Sequence, residues 1–387
     1  MQTIKATYRI VSPMFIGGAD QSPSDGIRPP SFKGALRFWW RALNWSEYPD
    51  LAKLHKAEAD LFGSAAKDNK GGQGKFLISM VTQSLAKTDK GALHGKFKSA
   101  DGARYLAYGL MGAFGANAGK LERGCINDCQ TFTVRLAFRK EIDDSIIDAL
   151  VVLGLLGGMG SRSRKGLGSL ALLSLKGTYE KTNAVDLFKA PSTEAEYIQE
   201  IKNRMAGLNR SGAKASFSAF SKSSSINLLV RRQKTVMEVL DKYGRAMMMY
   251  RSWGNNGRVL GMSREENFKD DHDWSKGSMP QGFHPRRVIF GLPHNYGKGP
   301  NLSVEPEKHR RRSSPLFYHV HQIGNEFFGV SMILPAQFLP EDEKINAGGN
   351  KVPAKIEWEV LDHFITGKDK GGAPRFPKQE SIKGDLK

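Results

Sequence analysis

The chain of 387 residues contains only two cysteines, Cys125 and Cys129. They sit four apart with no second CxxC pair and no neighbouring histidine. They therefore supply neither a disulfide framework nor a zinc site, and they fit a reducing, cytoplasmic compartment. No apolar run approaches the ~18–20 residues that span a bilayer. The N-terminus passes directly into an alternating apolar stretch without the apolar core of a secretory signal. Neither membrane insertion nor secretion is expected. HExxH and GxxxxGK[ST] patterns are missing, as is a GxGxxG following a strand, so the sequence predicts no metal and no cofactor. Negative charge is also scarce: 39 Asp and Glu face 58 Lys and Arg, for a net charge of +19. With 40% hydrophobic residues the chain can still pack cores, so the excess points to a folded protein with a polyanionic partner, nucleic acid first.

The bases are clustered. Arg28, Lys33, Arg37 and Arg41 fall in a stretch without an acid, and so do Lys202, Arg204, Arg210, Lys214, Lys222, Arg231, Arg232 and Lys234. Two shorter runs are Arg162-Ser163-Arg164-Lys165 and Lys308-His309-Arg310-Arg311-Arg312. Proteins that need only solubility mix both signs.

Periodicity predicts strands over 3–11, 75–81, 130–138 and 169–175, with helices from Ser31 to about Leu43 and over 143–156. Ser31 reads as the N-cap of the first helix, whose apolar face holds Phe32, Ala35, Leu36, Trp39 and Leu43, with Trp40 assigned to the core beside it. The order β-α-β-β-α-β is that of a ferredoxin-like domain. The second half is less regular: a helix over 184–208, a strand over 226–230, a helix over 231–249, strands over 287–290, 316–323 and 326–334, and loop or tail over 341–352 and 367–387. The domain boundary falls near 177–181.

The segment 157–168, Gly-Gly-Met-Gly-Ser-Arg-Ser-Arg-Lys-Gly-Leu-Gly, joins a helix to a strand. Its glycines allow sharp turns and close approach, and they leave N–H groups free for phosphate oxygens beside three cations. The following Lys165–Leu172 stretch is similar to the RRM pattern, yet Leu167, Ser169 and Leu172 stand where the aromatics belong, so base stacking there is not expected. A helix start carrying Arg28, Ser31 and Lys33 is a second anion site.

Pro13-Met14-Phe15-Ile16-Gly17-Gly18-Ala19-Asp20 and Arg28-Pro29-Pro30-Ser31-Phe32-Lys33-Gly34-Ala35-Leu36-Arg37-Phe38-Trp39-Trp40-Arg41-Ala42-Leu43 resemble the N-terminal signature of the first-subunit family of type III-B CRISPR (Cmr) effector complexes, within the RAMP superfamily. The loop 157–168 resembles that superfamily's glycine-rich loop. Phe290-Gly291-Leu292-Pro293 and Arg311-Arg312-Ser313-Ser314-Pro315-Leu316 resemble short second-half segments of the same family. The resemblance implies an α+β chain of two tandem ferredoxin-like (RRM-like) domains with long insertions, over 1–180 and 181–387. It implies a non-catalytic subunit capping the end of the complex that holds the crRNA 3′ portion, with crRNA, target RNA and other RAMP subunits as partners and no small-molecule substrate. Carried over, the RNA-contacting candidates are Arg28, Lys33, Arg37 and Arg41, with Gly158, Gly160, Arg162, Arg164 and Lys165. Charge alone adds Arg310, Arg311 and Arg312.

An alternative is a metal-independent RAMP endoribonuclease using a histidine as general acid or base. His272, His284, His294, His309, His319 and His321 gather late in the chain. His319 and His321 alternate on a strand and share a face, where they are expected to be exposed. Asp270-Asp271-His272-Asp273 is expected to be a solvated turn rather than a metal site.

Overall fold

A computed structural model describes residues 1–65, 72–82, 85–113, 115–179, 183–208, 215–251, 258–259, 262–263, 267–275, 277–278, 280, 282–295, 303–347, 350–376 and 378–382. Arg210 and Lys214 lie outside the described residues. The fold mixes helix and sheet. It divides into two compact units: 1–211 with 230–241 and 318–330, and 212–229 with 242–317 and 331–387.

In the first unit the elements are β1 (Gln2–Ile10), α1 (Pro29–Asn44), α2 (Leu51–Phe62), β2 (Phe76–Thr82), β3 (Gln130–Phe138), α3 (Asp144–Leu156), β4 (Leu170–Thr178), β5 (Val185–Phe188) and α4 (Glu194–Ala206). The strands form an antiparallel sheet of order β2-β3-β1-β4-β5. On β1, Ile4, Ala6, Tyr8 and Ile10 are buried while Lys5, Thr7 and Arg9 alternate toward the other face, the pattern of a sheet covered on one side. The Tyr8 hydroxyl donates to Leu150 O of α3 (2.9 Å), and Trp40 Nε1 of α1 donates to Ser145 Oγ (2.7 Å). Trp39 and Trp40 are both buried, as their place beside the apolar stripe predicts.

Helix α1 starts three residues earlier than expected. Arg28 is the N-cap residue, and Pro29 and Pro30 open the helix. Proline is suited to that first turn, because its missing N–H has no intrahelical partner there and its φ is already helical. Ser31 is thus inside the helix. The region 184–208 is not one helix. Thr193 caps α4 by accepting from Glu196 N (3.1 Å), which separates it from strand β5.

Farther along lie β6 (Ser225–Gln233), α5 (Val236–Arg251), β7 (Ser303–Pro306), β8 (Leu316–Ile323), β9 (Glu326–Ile333), β10 (Lys344–Ala347), β11 (Asn350–Pro353) and α6 (Glu359–Thr366). One sheet has the order β8-β9-β6 followed by Glu380–Ser381; a second joins His294–Asn295, β7, β10 and β11. Trp274, Val288, Leu292, Val304, Phe338, Ile345 and Val352 form a core of the second unit.

Four expectations are corrected here. The stretch 341–352 contains the antiparallel pair β10–β11 instead of a loop. Glu380–Ser381 in the supposed tail pairs with β6, after Gly367 ends α6 at φ 74°. Arg286–Phe290 is a 3-10 helix, not a strand, because the buried Asp271 carboxylate accepts from Arg286 N (2.9 Å) and Arg287 N (2.7 Å). Asp271 itself lies in the helix Lys269–Ser275, not in a solvated turn. Its neighbours pair with cations, Asp270 with Lys370 and Asp273 with Lys269. No cluster of metal-ligating side chains occurs among the described residues.

Candidate nucleic-acid interface

The glycine-rich segment 157–168 folds back on the segment 13–17. Met159 N donates to Gly168 O (2.9 Å), Ser161 N to Phe15 O (2.7 Å), and Gly168 N to Pro13 O (3.0 Å). Lys165 N donates to Arg162 O (2.7 Å) and Gly166 N to Ser163 O (3.3 Å). The expectation of a loop with its N–H groups free for phosphate is therefore corrected at these five positions. The glycines serve close packing instead. A Cβ on Gly158 would come within 2.8 Å of Gly168 O, and one on Gly160, at φ 88°, within 2.6 Å of Phe15 O.

What the loop presents outward is Arg162 and, in part, Arg164, while the Lys165 ammonium is buried. Arg162 is exposed, sits at φ 62° and donates through Nη2 to Tyr108 O (2.7 Å). The Arg164 guanidinium lies 5.4 Å from the Phe38 ring centroid, in cation–π contact with α1. Lys165 is half-buried. Helix α1 thus meets the loop, and its start is tied to the same region by Arg28 Nη2 donating to Gly17 O (3.2 Å). Lys33, also half-buried, has its amine pKa lowered by partial burial and by the charge of Arg37.

Arg37 and Arg41 differ from the others. Arg37 Nε (2.6 Å) and Arg41 Nη1 (2.5 Å) both bond Glu58 Oε1, whose side chain is 4% exposed. Glu58 lies on α2, a helix that sequence reasoning did not predict. The spacing of the two arginines by four residues is the signal that one acid could serve both. The long acid-free stretch is likewise answered by acids outside it: Arg204 pairs with Glu200 one helical turn earlier and with the distant Asp148, and Arg231 and Arg232 pair with Glu194.

The late basic run, in the second unit, splits three ways. Lys308 pairs with Asp342 and His309 with Glu343. Arg312 is half-buried, donates to Gln337 O (2.9 Å) and lies 5.5 Å from the Phe338 centroid, and burial lowers its pKa. Arg310 and Arg311 are exposed.

The expected exposure of His319 and His321 is overturned, although they do share a face. Their relative exposures are 1% and 3%. His319 Nδ1 bonds Gly157 O (2.9 Å), its Nε2 approaches His321 Nδ1 (3.3 Å), and His321 stacks on Tyr197 at 4.0 Å. Burial lowers the His319 pKa to about 3 and holds His321 well below its usual value. A neutral imidazole pair sealed under the glycine-rich loop is placed to support that loop, not to exchange protons with a substrate.

Residues 7–171, which contain α1 and the entire glycine-rich loop, match the family model of the RAMP superfamily. Beyond this segment the chain resembles Cmr1. It is 25% identical over 356 residues to CRISPR system Cmr subunit Cmr1-1 of Pyrococcus furiosus, covering 87% of each sequence. Its fold matches the apo crystal structure of Cmr1 from Pyrococcus furiosus (20% identity, TM-score 0.58, 99% of both chains). It also matches a chain of the cryo-EM structure of the type III-B Cmr-beta complex bound to cognate target RNA (13% identity, TM-score 0.52, 94% of this chain and 98% of that one).

Proposed function

We propose that this chain is a non-catalytic, RNA-binding subunit of a cytoplasmic type III-B CRISPR ribonucleoprotein active in antiviral defence. In this reading it caps the end that holds the crRNA 3′ portion and contacts guide and target RNA beside other RAMP subunits. Its architecture would be two tandem ferredoxin-like domains, 1–180 and 181–387. The element order supports the doubling of the plan, while β5 and α4, beyond residue 180, stay with the first unit. The first sheet runs β4-β1-β3-β2 before β5 is added, and the second runs from Glu380–Ser381 through β6 and β9 to β8, the same β-α-β-β-α-β plan written twice.

The observation that carries the RNA reading is the placing of Arg28, Arg162 and Arg164 along α1 and the glycine-rich loop, with Lys33 on the same helix. Cations held on a rigid frame neutralise phosphates and release counterions without reading bases. Such a surface suits a guide whose sequence varies.

The test is fluorescence anisotropy of the full chain with unrelated single-stranded RNAs. Affinities should be similar between sequences and fall as salt rises. Replacing Arg162, Arg164 and Lys165 together by Ala should weaken binding and reduce the salt slope by about 1.4, at ~0.7 per single-strand phosphate contact from the two arginines. An unchanged slope would remove the loop from the interface.

A further inference from the structure

The first unit contains a cavity of about 550 Å³ away from the glycine-rich loop's outer surface, lined from β1, β4 and the β8–β9 turn. We infer that it is a pocket for one nucleoside monophosphate unit, with Arg9 holding the phosphate and Gln322 meeting the base edge. Its volume lies within the ~300–1,000 Å³ usual for small-ligand pockets.

Three features carry this. First, Arg9 projects from β1 on the sheet face not covered by α1 and α3, half-buried, and its side chain has no ion pair or hydrogen bond among the described residues. Most buried or half-buried arginines elsewhere in this chain have a carboxylate or carbonyl partner, as Arg37, Arg104 and Arg287 do. A guanidinium without one is an open anion site.

Second, Gln322 Nε2 is committed to Gly324 O (2.9 Å), while its Oε1 is buried with no hydrogen-bond partner. A buried amide oxygen in that state lacks a donor, and the exocyclic amine or ring N–H of a nucleobase supplies one. Third, Leu173, Pro191 and Ile323 give the cavity apolar walls suited to a flat ring, and the neutral His321 ring, backed by Tyr197, closes one side.

The nucleotide could be free or part of a single strand. The open face favours the strand: Lys5 pairs in register with Arg135 on β3, continuing the line of cations away from Arg9. The inference rests on the RNA-binding reading only for that source.

Cys129 lines the same cavity and is exposed, whereas Cys125 is buried, with its thiol pushed up to about 12 by burial and by Asp128. Cys129 is therefore a built-in reporter. The full chain is reacted with Ellman's reagent in the presence of each nucleoside 5′-monophosphate or a short oligouridylate. Ligand at ten times its dissociation constant should slow Cys129 labelling about tenfold. Arg9→Gln and Gln322→Leu should abolish the protection, Arg9→Lys should retain part of it, and circular dichroism should confirm that each variant is folded. Protection by monophosphates assigns a free-nucleotide site, and protection by the oligonucleotide alone assigns a unit of a strand. The variant lacking Arg162, Arg164 and Lys165 should keep monophosphate protection, so failure of the loop surface and failure of the pocket are separable. Absence of protection by any probe at millimolar concentration, or equal protection in Arg9→Gln and Gln322→Leu, would overturn the inference.

Discussion

Neutral histidines do in this chain what an apolar core would do elsewhere, but they carry a pH cost. His319 and His321 are held neutral by burial, one bonded to Gly157 O and the other stacked on Tyr197. His284 is also lowered, to about 4. In the unfolded chain an imidazole titrates near pH ~6.5. Below that value the unfolded state takes up protons that the folded state refuses, so stability is full above it and is lost as pH falls toward 3. One imidazole moved from its ordinary value to about 3 should cost on the order of 2 kcal/mol at pH ~5. Urea midpoints at pH 7.5 and 5 should separate clearly for the native chain. The difference should shrink in a His319→Gln, His321→Phe variant, which keeps a donor for Gly157 O and a ring for Tyr197. An equally steep dependence in both proteins would mean that these imidazoles are protonated in the folded state.

At the scale of elements, glycines of similar appearance have opposite roles, and stability tells them apart. Gly34 lies on the exposed side of α1, and a Cβ there meets nothing within 4 Å. Gly34→Ala should therefore stabilise the chain by about 0.5–1 kcal/mol through helix propensity. Gly160 combines φ 88° with a Cβ position 2.6 Å from Phe15 O. Gly160→Ala should destabilise by about 2 kcal/mol or more, since backbone strain and a backbone clash add. Equilibrium urea unfolding of both variants checks the contrast; a neutral Gly160→Ala would show the loop free to shift away from the segment 13–17. The sequence could reveal that 157–168 bends and that α1 has a cationic side, because both follow from residue type and spacing. It could not reveal that loop N–H groups are already bonded to Pro13 O and Phe15 O, since that pairing joins positions far apart in the chain. The same limit hid Glu58. The short strands β10 and β11 were lost for another reason: four-residue strands full of Lys and Asn carry almost no period-2 signal.

For the whole molecule, a net charge of +19 is a poor guide to how many cations remain for a polyanion. Arg37, Arg41, Arg204, Arg231, Arg232 and Lys308 all answer to carboxylates within the chain. The clusters that looked equivalent in sequence therefore differ in what they can offer. In the run from Lys308 to Arg312, pairing with Asp342 and Glu343 and packing on Phe338 leave Arg310 and Arg311 as the outward pair. If this run joins the proposed RNA surface, only those two contribute. Replacing both by Ala should lower the slope of log affinity against log salt by about 1.4, at ~0.7 per single-strand phosphate contact. Lys308→Ala should leave the slope unchanged, because that ammonium is already matched by Asp342. Salt titrations of RNA binding by the full chain distinguish the cases. An unchanged slope in the double variant would confine RNA contact to the surfaces around α1 and the glycine-rich loop. A lower slope in Lys308→Ala would show that RNA displaces Asp342 and that the internal ion pair is a competitor of the RNA backbone.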